Sequence, residues 1–271
     1  MFKEDVITSK THNVIGTGVS ALNKDSDSLS VIAEGEHAIA YTDICGRVYV
    51  VGLNYYGECN TKKWGGIIEV GLGPFHTVGL REDGRVLAVG DDLFGKCDTE
   101  DWENVFSISV GGMHTVGLCE DGTVLATGMH EYGQCDTEDW RDICLIAAGG
   151  LYTAGLRRDG TVVTTMQDEN DGEEISSWKN IKKIVAGGSH LVGLCENGRV
   201  VAAGGNAYGQ CETSDWEGIV SIAAGDCHTV GLKENGEVVA VGKNDHGQCD
   251  VNNWGKIEAI NAVNNSTYAY Y

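Results

Sequence analysis

Six tryptophans stand at one fixed interval: Trp64, Trp102, Trp140, Trp178, Trp216 and Trp254, each 38 residues after the one before. Six glycines keep the same step, namely Gly46, Gly84, Gly122, Gly160, Gly198 and Gly236. So do His76 and His114, then Tyr152 in the same register, then His190 and His228. His37 lies 39 residues before His76, because its hairpin holds one extra residue. A self-similar period of this length means a solenoid, a propeller or an array, so the repeat decides the fold before composition is considered.

Residues 220–257, VSIAAGDCHTVGLKENGEVVAVGKNDHGQCDVNNWGKI, make one unit. SIAAG, HTVGL and EVVAVG are apolar runs of strand length, rich in Val, Ile and Leu. KENG, REDG, CEDG, RRDG and CENG join the second run to the third. An Asn-Gly or Asp-Gly pair there signals a hairpin, because glycine accepts the positive φ that such turns need. None of the runs has the length of an ordinary helix. Three or four short antiparallel strands about every 40 residues make a propeller blade. Blades cover each other on both faces, which explains strands that are apolar throughout.

The ends set the number of blades. Six full units run over about 29–66, 67–104, 105–142, 143–180, 181–218 and 219–257. The tail EAINAVNNSTYAYY aligns with the opening strands of another unit, and Ile260 falls 38 residues after Ile222. Near the N-terminus, HNVIGTG resembles the third-strand run GRVYVVG. Residues 258–271 plus about 11–28 are therefore expected to share a seventh blade, closing the ring and removing open edges. The expected fold is one all-β domain over 1–271, a seven-bladed propeller.

Composition narrows the function. Against 19 Lys and Arg stand 40 Asp and Glu, a formal charge of -21. Such a surface repels nucleic acid and anionic lipid and favours basic partners. MFKEDVITSK has no apolar core of a secretory signal, and no apolar run reaches membrane-span length, so a cytoplasmic chain without membrane contact is expected.

The repeated histidines invite a metal-ring reading. Equivalent positions in seven blades, however, are turned about 50° from each other around the axis and do not converge on one ion. Each histidine is better read as a buried, hydrogen-bonded tie to a neighbouring blade, and Tyr152 can keep such a bond. Cys59, Cys97, Cys135, Cys211 and Cys249 share a G-x-C setting. On adjacent blades they should lie on the order of 10 Å apart, too far for disulfides. Asp98-Thr99-Glu100-Asp101 and Asp136-Thr137-Glu138-Asp139 lack calcium-loop spacing and read as solvated turns with a cap-like Asp or Thr. The tryptophans that follow them pin these loops to the blades. No catalytic constellation, cofactor site or metal site is legible.

The combined pattern V-x-x-A-x-G-x-x-H-T-x-G-L, G-x-V, G and G-Q resembles the regulator-of-chromosome-condensation repeat family over nearly the whole chain. The compact period is most similar to bacterial members, including propeller-type β-lactamase inhibitor proteins. The resemblance implies a seven-bladed propeller with a protein-interaction role and no general enzymatic activity. The eukaryotic founder exchanges nucleotide on a small GTPase through an inserted wedge hairpin, which this sequence lacks.

The fourth unit departs from the pattern. Its neighbour reads ATGMHEYGQC where it reads TTMQDENDGEEI, with Met166 in place of a repeat glycine and Glu173 in place of the cysteine. Either the unit is freed for a partner or it has drifted with local compensation. Asp168, Glu169, Asp171, Glu173 and Glu174 form the densest acidic cluster outside the consensus and are the candidate binding residues. The expected protein is a monomeric, non-catalytic scaffold for a protein partner with a basic surface. An enzyme inhibitor and an exchange-factor-like regulator are the alternatives. All ten cysteines should be free: thiol titration of denatured protein, purified without oxidant, should find ten equivalents, and elemental analysis no stoichiometric zinc.

Overall fold

Residues 14–16, 29–34, 38–43, 45–167 and 169–270 are described by the structure, a computed structural model. His37, Asp168 and most of the N-terminal part of the seventh unit lie outside the described residues. Among the described residues the strands form seven three-stranded antiparallel sheets. Blade one holds Leu29–Glu34, Ala38–Asp43 and Val48–Gly52; blade two holds Ile67–Leu72, His76–Arg81 and Val86–Gly90. Blade three holds Val105–Val110, His114–Cys119 and Val124–Gly128; blade four holds Ile143–Ala148, Thr153–Arg157 and Val162–Thr164. Blade five holds Ile181–Ala186, His190–Cys195 and Val200–Gly204; blade six holds Ile219–Ala224, His228–Lys233 and Val238–Gly242. In blade seven, Ala259–Val263 and Ser266–Tyr270 form a hairpin, and Val14–Gly16 pairs with its second strand, Val14 opposite Tyr270. The two ends of the chain thus share one sheet. First strands of successive blades touch from blade one through blade seven, so they lie innermost.

Two devices join the blades. The first lies at the hairpin between second and third strands. Gly84 has φ 77°, and its carbonyl accepts the N–H of Val105 at 3.0 Å, the first residue of the next blade. A Cβ on Gly84 would lie 3.2 Å from the backbone of Asn104. Glycine is required twice there, for its backbone angle and for close approach. The preceding Asp or Asn folds the turn: Asp121 Oδ1 accepts the N–H of Thr123 at 2.9 Å, and Asn235 Oδ1 that of Glu237 at 3.0 Å.

The second device seats the tryptophans. Trp102 is buried with its ring 2.8 Å from where a Cβ on Gly117 would stand, so the missing side chain makes the slot. Trp64, Trp140, Trp178 and Trp216 pack the same way on Gly79, Gly155, Gly193 and Gly231. In blade seven the slot residue is Ala269, and Trp254 is only half-buried. Ala269 carries there the methyl group that the glycines of the other slots lack, and a packed core has little spare room for one.

Blade four breaks the pattern at a definable point. Gly90, Gly128, Gly204 and Gly242 end their third strands with φ between 106° and 128°, a region that side chains avoid. Met166 holds that place in blade four. Its third strand stops at Thr164, and the chain enters helix α1, Glu169–Ser177. The strand-length runs of the sequence do not announce this helix. Ile175, fully buried, anchors α1 where Thr61, Thr99, Thr137 and Thr213 stand in other units. Those threonines donate to the first carbonyl of the preceding third strand, as Thr99 does to Val86 at 3.2 Å. They cap no helix, so the cap-like role expected of the Asp-Thr-Glu-Asp loops gives way to a tie onto a strand.

Gly172 lies inside α1, and a Cβ there would meet its nearest neighbour at an ordinary 3.5 Å. Gly172→Ala should therefore stabilise the fold by up to about 1 kcal/mol, since Ala is the better helix former. A side chain on Gly236, which has φ 84°, would crowd Lys256 and Ile257, so Gly236→Val should cost about 1 kcal/mol or more. Chemical denaturation of both variants checks the pair; like losses at the two sites would contradict this assignment.

Candidate interaction surface

The histidines do not gather. His114 Nε2 lies 2.9 Å from Thr153 Oγ1 on the next blade, and that hydroxyl donates to the Gln134 carbonyl at 2.7 Å. A threonine that donates to a carbonyl can only accept from the ring, so Nε2 carries the proton. His76 meets Thr115 likewise at 3.2 Å, His190 meets Thr229 at 2.9 Å and His228 meets Thr267 at 2.9 Å. Burial depresses the pKa of all four, His76 to about 3 and His114, His190 and His228 to about 4, so the rings are neutral.

Blade four replaces this joint as a unit. Tyr152 stands for the histidine and donates to the His190 carbonyl at 2.5 Å. Leu191 stands for the threonine and is fully buried. A threonine there would look for the residue-172 carbonyl, which now belongs to α1. The departures at 152 and 166–177 of the fourth unit and at 191 of the fifth are thus mutually compensating.

The strand order divides the propeller into two ends. Turns between first and second strands share one end with the loops that follow third strands. In blade two the Asp91 N–H donates to the Phe75 carbonyl at 2.8 Å, and in blade three Met129 donates to Met113 at 3.0 Å. Those loops carry a further series at the 38-residue step: Tyr56, Phe94, Tyr132 and Tyr208, then His246. Tyr56 is 56% exposed, Phe94 45%, Tyr132 46% and Tyr208 52%, with Tyr55, Leu93 and Leu151 exposed beside them. Tyr56 meets Phe75 edge-on at 5.5 Å, and the Lys243 ammonium stands 5.4 Å over the Tyr208 ring. Sequence reading missed this series. The step of 38 is visible in it, but exposure is not, and aromatics in a repeat first suggest packing.

Of the acidic candidates, Glu173 and Glu174 are exposed on α1 and Asp171 is half-buried. Glu169 belongs to α1, and Asp168 lies outside the described residues. α1 lies on the segment between blades four and five, in contact with both their third strands. The register position that carries an aromatic in other blades, residue 170, falls inside it.

The G-x-C thiols are hydrogen-bond donors to loop carbonyls, as Cys59 is to Leu53 at 3.1 Å and Cys135 to Met129 at 3.3 Å. Burial pushes Cys97, Cys135 and Cys249 up to about 11 and Cys211 to about 12, where they are unreactive thiols. Among the described residues no group of three or more His, Cys, Asp or Glu is placed to hold a metal ion. An open groove of about 730 Å³ beside α1 is lined by residues including Trp140, Arg157, Ser176 and Lys179, and the Ser176 hydroxyl is spent on the Glu173 carbonyl.

Comparison with solved structures places the fold. Prp20p of Saccharomyces cerevisiae superposes with a TM-score of 0.71 at 15% identity, over 92% of this chain and 83% of that one. Human WBSCR16 gives 0.70 at 15% identity, over 89% and 86%. The CRINKLY ectodomain of the Arabidopsis thaliana receptor kinase ACR4 gives 0.65 at 19% identity, over 88% and 89%. These likenesses define the class, a β-propeller. Residues 67–96, 107–134, 181–210 and 219–248 match the regulator of chromosome condensation (RCC1) repeat, so the propeller carries RCC1 repeats over those four stretches. The matched segments fall in blades two, three, five and six, and the altered blade four is not among them. A search of curated proteins finds no match.

The histidine joints carry a pH dependence. Below the ordinary histidine pKa of 6.5 the unfolded chain takes up protons that the folded rings refuse until about pH 4 or lower. Their contribution is full above pH 6.5 and is lost as pH falls through that window. Relief of the -21 charge acts oppositely once carboxylates protonate, so the window to read is pH 6.5 to 5. Denaturation free energies should fall across it, and His190→Gln should show a shallower slope than the unchanged chain.

Proposed function

We propose that this chain is a non-catalytic protein-interaction platform that binds through the loop end carrying Tyr56, Phe94, Tyr132 and Tyr208. One observation carries the reading: large aromatic side chains at one register are exposed together on one end of a propeller. Tyrosine and phenylalanine supply much contact area at low entropy cost and dominate binding energy where they are found in interfaces. The relatives support a protein partner. The Prp20p structure was described with its binding to Gsp1p and histones, and yeast RCC1 (Prp20) was solved bound to Kap60.

The charge of -21 gives a second, separable contribution. It steers a partner with a basic surface, raises the association rate and disfavours nucleic acid. The acidic cluster on and before α1 belongs to this steering role, and the aromatic end to the bound state. The platform works as a cytoplasmic monomer.

A variant with Tyr56, Tyr132 and Tyr208 changed to Ala should melt like the unchanged chain and lose its partner in pull-down. Changing Asp168, Glu169 and Glu173 to Asn or Gln should slow association and weaken its salt dependence while the dissociation rate holds. Retention of the partner by the triple-tyrosine variant would refute the assigned surface. Purified serine β-lactamase and a small GTPase loaded with labelled nucleotide discriminate the inhibitor and exchange-factor readings: inhibition or accelerated release would replace the platform reading.

A further inference from the structure

Blade two's loop is wired unlike its counterparts. In blades one, three, five and six, Glu58, Gln134, Gln210 or Gln248 is buried, and its side-chain oxygen accepts the N–H of the residue two before it. The distances are 2.8 Å to Tyr56, 3.0 Å to Tyr132, 3.0 Å to Tyr208 and 2.9 Å to His246. Blade two has Lys96 there, fully buried. An ammonium has no lone pair to offer and cannot accept from Phe94.

Two changes accompany the exchange. Asp91 stands where the other loops have Leu53, Met129, Gly205 and Lys243. It pairs with the Lys96 ammonium and also accepts the Leu93 N–H at 3.3 Å. Partial burial alone would raise the Asp91 carboxyl, but the bond from Lys96 and the Leu93 amide outweigh it and hold the pKa below the ordinary range. Phe94, released from the usual acceptor, takes a left-handed backbone with φ 69°. Tyr56, Tyr132, Tyr208 and His246 do not, and a bulky side chain there is an outlier. The result is a one-turn 3-10 segment, Leu93–Gly95, with Leu93 55% and Phe94 45% exposed.

Strain of this kind persists where the surroundings over-determine it, and it gathers at binding sites. Here the surroundings are a half-buried ion pair, and what it holds out is an apolar pair of side chains. The stretch around them, Asp91 to Asp101, carries Asp91, Asp92, Asp98, Glu100 and Asp101 against the single Lys96, which is buried and already paired. We infer that Leu93 and Phe94 are the anchor of the interface, a preformed knob that enters an apolar cleft on a protein partner whose rim carries Lys or Arg opposite Asp92 and Asp98. This rests on the reading of the aromatic end as the binding surface. Holding the knob in place before contact removes the cost of ordering it on binding.

The test places p-benzoylphenylalanine at position 56, 94, 132 or 208 of the full chain and irradiates each in source-cell extract. The strongest crosslink is expected from position 94, to a segment lining an apolar concavity flanked by Lys or Arg. Unlabelled wild-type chain should compete it away, and Phe94→Gly should need at least tenfold more protein. Glycine accepts φ 69° freely, so Phe94→Gly should melt no lower than the unchanged chain. A merely structural ring would instead lower its melting point by several degrees, which would overturn the inference. Crosslinks from 132 and 208 without one from 94, or full competition by Phe94→Gly, would also overturn it while leaving the aromatic end as the binding surface. Silence from all four positions would bring down both.

Discussion

Four junctions among the described residues are fastened by a three-part relay: a neutral imidazole donates to a threonine hydroxyl, and that hydroxyl donates to a loop carbonyl. His114, Thr153 and the Gln134 carbonyl show it in full. One such bond is worth only about 1 kcal/mol net, but an orphaned buried partner costs about 1–3 kcal/mol. The relay therefore acts as a constraint on all three positions at once. It fixes the tautomer, depresses the ring pKa and specifies a threonine on one blade because of a histidine on another. The exposed ion pairs contribute little by comparison; Arg85 with Glu103 at 3.3 Å and Arg199 with Glu217 at 3.6 Å are both on the open surface.

Blade four shows how far the constraint reaches. Met166 cannot adopt the backbone its register demands, so the loop that offers the accepting carbonyl is replaced by α1. Without that carbonyl the threonine has no acceptor, and Leu191 fills the place. Without the threonine the histidine has no acceptor, and Tyr152 reaches past it to backbone. Three separate oddities in the sequence are one event in the structure.

The fold was legible because its demands recur. A glycine needed for φ near 80° is needed six times, and a tryptophan needing a slot finds Gly79, Gly117, Gly155, Gly193 or Gly231 fifteen residues later. Repetition turned weak local signals into a strong one. What happens once was not legible. Helix α1 has a single buried apolar anchor in Ile175, too little for a helical pattern, and glycine at its centre argues against it. The aromatic end was hidden for another reason: Tyr132 and Trp140 look equally like core in the sequence, and only the strand order puts one at a loop tip and the other in a slot. The acidic cluster drew attention because charge can be read without a structure, whereas exposure cannot.

The compensated joint at blade four also bears on how such a chain can change its length. Tandem repeats invite unequal recombination, which adds or drops whole units. Most junctions here present the same halves, a histidine facing forward and a threonine facing back, so units could be exchanged among them without mismatch. The junction between blades four and five is cut to a different key. A unit copied from blade two and spliced between them would bring a threonine to meet Tyr152 and turn a histidine toward Leu191. The product would bury both polar groups without their usual partners. The least regular joint of the ring is the one that ties these two units together as an inseparable pair in inheritance.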